Sequence, residues 1–398
     1  MTSPAPASPT APAPTAPPTA PAPPVAAPPP SLRTRWRAAR RLPSALLAIV
    51  GPALVALLTV FVIARPSDAA FSVAGGVAAA VVVADVIVVL DRRRLIGVAA
   101  LVTHGLLAAL LATYRAAPLA APPPLLGDLP AASPPADMSL AALPTGVIHR
   151  TAAFAYRGGS PFDRRDFAMT AVLVRHPQGD LLIDTGLGRE LDAQLPRMPR
   201  RFRAVSRIDR GRPAAEQLAA AGHDRARLRG ILLTHAHWDH VSGVPDFPGV
   251  PVLVTAEEQA FIADGGWITA IARSATAARY QTYPFDGGPY LGFARSHDVY
   301  GDGAIVVVPA PGHTPGSVIV FVALPDGRRY AFVGDLCWQR EGIVEREERP
   351  WLVRREADHD PAAVRVALLR MAAIAARFPT ITLVPAHDAR ALAELPTL

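Results

Sequence analysis

With 398 residues the chain has room for one large domain and further segments. It contains no lysine, so all 40 basic residues are arginine, and the net charge of +7 reflects an Ala/Pro/Arg/Val-heavy composition more than a nucleic-acid-binding face. A single cysteine, Cys337, excludes an intrachain disulfide and any thiolate-rich zinc motif, which leaves histidine and carboxylate as the possible metal ligands.

The first segment, residues 1–43, is Pro/Ala-rich with a basic end and has no apolar periodicity, so it is expected to be disordered. Three apolar runs follow between residues 44 and 114: Ala45–Ala64, Ala69–Leu90 with only Asp85 inside it, and Leu95–Tyr114. Each is about long enough to cross roughly 30 Å of hydrocarbon, so three transmembrane helices in a lipid bilayer are expected. Arg33, Arg35, Arg37, Arg40 and Arg41 precede the first run and Arg92–Arg94 separate the second and third, whereas Arg65 and Arg115 stand alone. The positive-inside rule then puts the N-terminus in the cytoplasm of a bacterial inner membrane and everything after Tyr114 outside. Asp85 reads as a group near the cytoplasmic end that pairs with Arg92–Arg94, and His104 as a mid-span group that hydrogen-bonds between helices. A Pro-rich linker is expected over 115–144, with the soluble domain at 145–398.

In that domain "TAVLVRHPQGDLLIDTG" predicts a hairpin turned at Pro177-Gln178-Gly179, and Pro213–Ala221 predicts a helix closed by Gly222. The strands "GILLT", "PVLVT" and "AIVVVPA" come next. A second hairpin around Pro325-Asp326-Gly327 is followed by a helix over Pro361–Arg377 and a last strand "TITLVPAHD". Hairpins with intervening helices imply layered α/β architecture. Four strands each end in a candidate ligand: His235 after "GILLT", His313 after "VVVPAPG", Asp335 after "YAFVG" and His387 after "TLVPA".

The densest chemistry lies in "ILLTHAHWDHVSG". His235 and His237 in an extended loop point the same way, while Asp239 and His240 at the next turn can face a second point, so this one segment can serve two metals. Closing both sites requires two further histidines and a carboxylate, and His313, His387 and Asp335 are available. Nitrogen and oxygen donors without thiolate suit two Zn2+ ions, with Fe or Mn as alternatives. His149, His176, His223, His297 and His359 read as ordinary surface or hydrogen-bonded residues, and Cys337 as a small buried one.

From about Thr145 to the C-terminus the chain resembles the metallo-β-lactamase fold superfamily, on the residues "HAHWDH", "PGHTPGS", "GD" and "PAHD" in that order. The resemblance implies an αββα sandwich with His235, His237 and His313 on one metal, Asp239, His240 and His387 on the other, and Asp335 bridging. It places Asp184 of "LLIDTG" behind the ligands as an orienting group. The implied activity is hydrolysis of a small-molecule ester, lactone or thioester by hydroxide generated from coordinated solvent, with Asp239 accepting a hydrogen bond from the nucleophile. The motif order is similar to quorum-quenching lactonases and to glyoxalase II-like hydrolases. It departs from the lactonases at Trp338, where they place a tyrosine, and from glyoxalase II in having only eleven residues after His387. The alternatives within the fold are an iron-dependent oxidoreductase of the persulfide dioxygenase kind and a phosphodiesterase or nuclease; no nucleic-acid partner is expected. Substrate recognition is expected in "RRFRAVSRIDRGR" and in Gly265–Tyr300, where Trp267, Tyr280, Tyr283 and Tyr290 either line a pocket or simply pack.

Overall fold

The computed structural model describes residues 46–61, 68–90 and 94–398, so the expected disordered tail 1–43 lies outside the described residues. The N-terminal part is helical over 46–61, Asp68–Leu90 and Arg94–Ala112. Among the described residues no helix is long and apolar enough to cross a membrane, which departs from the expected three spans; parts of each expected span fall on residues whose positions or side chains are not described. Asp85 and His104 join the second and third helices through a 2.9 Å contact.

The rest of the chain is built on two sheets. Seven strands form the first: β1 Ser139–Thr151, β2 Arg164–Arg175, β3 Asp180–Ile183, β4 Ile208–Arg210, β5 Leu228–Leu232, β6 Pro251–Val254 and β7 Arg279–Thr282. Their order is β4-β1-β2-β3-β5-β6-β7. Five form the second: β8 His297–Asp298, β9 Ile305–Pro309, β10 Val318–Ala323, β11 Arg329–Gly334 and β12 Ile381–Pro385, in the order β12-β11-β10-β9-β8.

Successive side chains on a strand point to opposite faces, and here both faces are apolar. On β2, Phe167, Met169, Ala171 and Leu173 face the outer helical layer with Ala214, Leu218 and Trp238, while Val172 and Val174 face inward. On β10, Val318, Val320 and Val322 meet that inner layer, and Ile319 and Phe321 turn outward to Val364, Leu368 and Met371 of helix Pro361–Arg377. The two sheets therefore pack face to face with helices on both outer surfaces, the αββα arrangement implied by the family resemblance.

β1 begins at Ser139, inside the stretch read from sequence as linker, and pairs antiparallel with β2 from Ser139↔Arg175 to Thr151↔Arg164. Its register shifts between Pro144 and Gly146, where a proline lacking an N–H is tolerated at a bulge. The residues before it are also held to the domain. Leu119, Leu125 and Leu129 pack against the outer layer of the second sheet, and Ser133 N–H donates to Asp302 O at 2.8 Å.

Candidate metal centre

Five loops leave the C-terminal ends of β3, β5, β9, β11 and β12, and all five converge at one edge of the sandwich. β3 and β5 are parallel in one sheet; β11 and β12 are parallel in the other, and β9 runs with them because both it and β11 are antiparallel to β10. The sheets are stitched at this edge by Val318 N–H donating to Thr234 O at 2.9 Å.

All seven expected ligands sit here, in two groups whose donor atoms lie within 4.8 Å of one another: His235, His237, His313 and Asp335 in one, Asp239, His240 and His387 in the other. Asp335 lies between the groups. One of its oxygens is 3.3 Å from His313 Nε2 and 3.9 Å from His235 Nε2, and the other is 3.1 Å from His387 Nε2 and 3.4 Å from His240 Nε2. Gly334 delivers it there. Its φ of +52° suits glycine, and a Cβ at that position would reach within 3.0 Å of the Thr234 side chain.

Burial and charge set the electrostatics. Burial, reinforced by the neighbouring imidazoles, drives His235 and His237 well below their ordinary pKa. Burial acts the same way on His240, but Asp184 and Asp335 outweigh it and hold that histidine well above. His313 and His387 are likewise raised against burial, chiefly by Asp335. Asp335 itself stays well below the usual carboxylate range although burial opposes it, because His387 and His240 face it. A buried carboxylate ringed by imidazoles calls for positive charge at its centre.

The residues fit a pair of divalent ions on their own chemistry. His235 Nε2, His240 Nε2 and one Asp335 oxygen are buried without a hydrogen-bond partner, an arrangement costly unless a cation satisfies them. The outward-facing ring nitrogens are fixed by acceptors, as metal-binding imidazoles require. His240 Nδ1 lies 2.8 Å from Asp184 Oδ2, His313 Nδ1 3.0 Å from Asp358 Oδ1, and His387 Nδ1 2.7 Å from Ala168 O. Cys337 belongs to neither group; it is packed in the outer core, where burial pushes its thiol up to about 12.

Asp184 follows β3 with φ +54°, a left-handed conformation that aspartate tolerates better than most residues. It accepts from Thr234 N–H and Thr234 Oγ1 as well as from His240, each at 2.8 Å, so one carboxylate orients a ligand and the start of the ligand loop together.

Two residues not singled out from the sequence stand behind the centre. Asp358 accepts from Arg349 Nη1 at 2.9 Å, and Arg349 also donates to the backbone oxygen of Asp335 while stacking over Trp338 at 4.3 Å. Within the charged run Glu345–Arg349, Glu347, Glu348 and Arg349 are buried. Charge density alone carries no signal of that.

Trp338 is buried, stacks on Phe154 at 5.2 Å and donates its indole N–H to Asp335 Oδ2 at 2.8 Å. Of the aromatics in Gly265–Tyr300, Trp267 and Tyr280 pack against the first sheet's outer core, Tyr283 against the inter-sheet core and Tyr290 against the second sheet's outer core. They are spread over three packing layers and do not share one pocket. The segment over residues 200–212 does approach the centre: Phe202 stacks edge-on against Trp238, the neighbour of His237, at 5.5 Å.

Comparison with known proteins agrees with this geometry. Residues 164–387, more than half of the chain, match the metallo-beta-lactamase superfamily. The chain belongs to that superfamily. A probable metallo-hydrolase of Mycobacterium tuberculosis is 32% identical over 195 residues, covering 46% of this chain and 62% of its own length. The N-acyl homoserine lactonase AttM of Azorhizobium caulinodans is 31% identical over 164 residues, covering 38% of this chain and 59% of its own. The chain thus spans about three fifths of the length of these curated relatives. Among solved structures, an N-acyl homoserine lactone hydrolase with N-hexanoyl-L-homoserine bound superposes with a TM-score of 0.50 at 16% identity, over 65% of this chain and 96% of that one. At that identity the likeness speaks for the fold alone.

Proposed function

We propose that this superfamily member is a binuclear metal-dependent hydrolase that cleaves the acyl C–O or C–S bond of an ester, lactone or thioester. The observation that carries the reading is the convergence of seven buried ligand side chains on one edge, with the Asp335 carboxylate between the two groups. His235, His237 and His313 would hold one ion and Asp239, His240 and His387 the other, with Asp335 shared; the ligand chemistry favours zinc. Bound there, such ions lower the pKa of water and polarise a carbonyl oxygen.

The chain's own residues supply the rest. Asp239 is the least enclosed of the seven, and its Oδ2, 3.3 Å from His387 Nε2, is the group placed to accept a proton from the attacking water. Trp338 holds the bridging carboxylate in orientation through its indole N–H. It has no hydroxyl to offer a substrate, so the carbonyl must be oriented by other groups. Phe202, half-buried on Trp238 beside the ligand loop, supports an apolar acyl group on the substrate. Kinship with named lactonases supports an acyl lactone as the first candidate.

Attachment to a bilayer is part of the proposal, with the N-terminus cytoplasmic and the domain outside. It is supported by the arginine distribution and by exposed apolar side chains, Leu46, Leu57, Val82, Leu101 and Leu106 among them, on the N-terminal helices. A C-terminal reporter that is active only in the cytoplasm would contradict that orientation if it gave signal.

The function is tested by incubating zinc-loaded full-length protein with N-acyl homoserine lactones, glutathione thioesters, a phosphodiester and nitrocefin, with and without chelator. Chelator-sensitive lactone opening that Asp239→Asn slows by about 10²-fold or more is expected, the range for a lost general base. Turnover confined to the phosphodiester, or unaffected by chelator, would contradict the reading.

A further inference from the structure

Glu258, on helix Ala256–Asp264, is buried and has no cation among its hydrogen-bond partners, and burial raises its pKa above the ordinary carboxylate value. One oxygen accepts from Ala236 N–H at 2.6 Å. The other accepts from Thr314 Oγ1 at 2.6 Å and from Gly316 N–H at 3.0 Å. Ala236 is the residue between His235 and His237, and Thr314 follows His313. The three donors therefore belong to the two loops, one from each sheet, that carry the histidines of the first ligand group.

The surroundings are built to hold this carboxylate in place. Thr255 caps the helix by accepting from Glu258 N–H at 3.0 Å and donates its hydroxyl to Gly316 O at 3.1 Å. Gly316 permits the approach: a Cβ there would fall 2.2 Å from Thr255 Oγ1 and 2.3 Å from Glu258 N. Burying a carboxylate is costly, and here three hydrogen bonds offset the cost.

We propose that Glu258 is a positioning residue for the first metal, clamping the His235–His237 loop to the His313 loop so that three imidazoles from two sheets meet at one point. None of its hydrogen bonds goes to Asp239, His240 or His387, so its influence falls first on one of the two groups. The inference rests on the reading that both groups hold divalent ions.

Glu258→Gln keeps the volume but puts an amide N–H₂ against a backbone N–H or forces it to turn away, so one loop is released. The experiment titrates apo full-length protein with Zn2+ against a chromophoric chelator, and records the Co2+ d–d spectrum and the melting temperature of the metal-free protein. Wild type is expected to bind two equivalents. Glu258→Gln should bind one of them 10- to 100-fold more weakly, the range for lost outer hydrogen bonds to ligands, with a changed Co2+ spectrum and an apo melting curve near wild type. Thr314→Val, which removes one donor, should show a smaller loss at the same equivalent and stands in if the glutamine variant does not fold. Two wild-type affinities in a folded variant, or an equal loss at both equivalents, would overturn the assignment of Glu258 alone. No zinc binding by wild type would instead overturn the metal reading beneath it.

Discussion

Asp184→Asn isolates one carboxylate's effect on the second ligand group. The native side chain accepts three hydrogen bonds at 2.8 Å, from Thr234 N–H, Thr234 Oγ1 and His240 Nδ1. Asparagine matches it in size and also tolerates the φ of +54°, so the backbone is not the source of any effect. It retains one acceptor oxygen. Whichever way the amide is turned, its N–H₂ faces either the Thr234 N–H or His240 Nδ1–H, leaving a buried donor unsatisfied at a cost of about 1–3 kcal/mol. Loss of such an outer hydrogen bond weakens metal affinity by about 10- to 100-fold, or about 1.4–2.8 kcal/mol, so the two estimates agree. Zinc competition should show one equivalent weakened by that factor and the other within about threefold of wild type. Wild-type affinity at both equivalents would refute the claim that Asp184 acts through His240. Asp184→Ala, which adds left-handed strain, should be worse in stability but no more selective.

Further expectations concern other parts of the domain. The Cys337 thiol, pushed to about 12 by burial, should resist alkylation at pH 8 in the folded protein and react only on denaturation; labelling at the rate of a free thiol in native buffer would contradict its placement. His149 lies 2.8 Å from Asp209 on β4 and 2.7 Å from Asp166 on β2, and the bond to Asp209, then that to Asp166, raises its pKa above 6.5. A raised folded value means this stabilisation is fully present below pH 6.5 and is lost as pH rises through the folded pKa. His149→Gln should flatten that part of the stability profile, and an unchanged profile would show the pairing to be idle.

The candidate ligands were legible because metal chemistry restricts residue type and strand ends restrict position. "GILLT", "VVVPAPG", "YAFVG" and "TLVPA" each deliver one candidate to the same edge, and those strands are short, apolar and bounded by turn residues. The helix Pro361–Arg377 was legible to the residue, since Asp360 caps it by accepting from Ala362 and Ala363 N–H and Pro361 suits its first turn. β1 was not, because "SLAALPTGV" combines proline and glycine with a bulge and so imitates the linker before it. Glu258, Asp358 and Arg349 were hidden for a different reason. Their partners are backbone groups and side chains 9 to 58 residues away, and no local pattern marks a carboxylate that will be buried.

The central claim is that two divalent ions are held where the two sheets meet. The most direct measurement is anomalous diffraction at the zinc edge from crystals grown with Zn2+. Two peaks are predicted, one among His235, His237 and His313 and one among Asp239, His240 and His387, with the Asp335 carboxylate between them. No peak at this edge, or zinc bound only elsewhere on the molecule, would contradict the account.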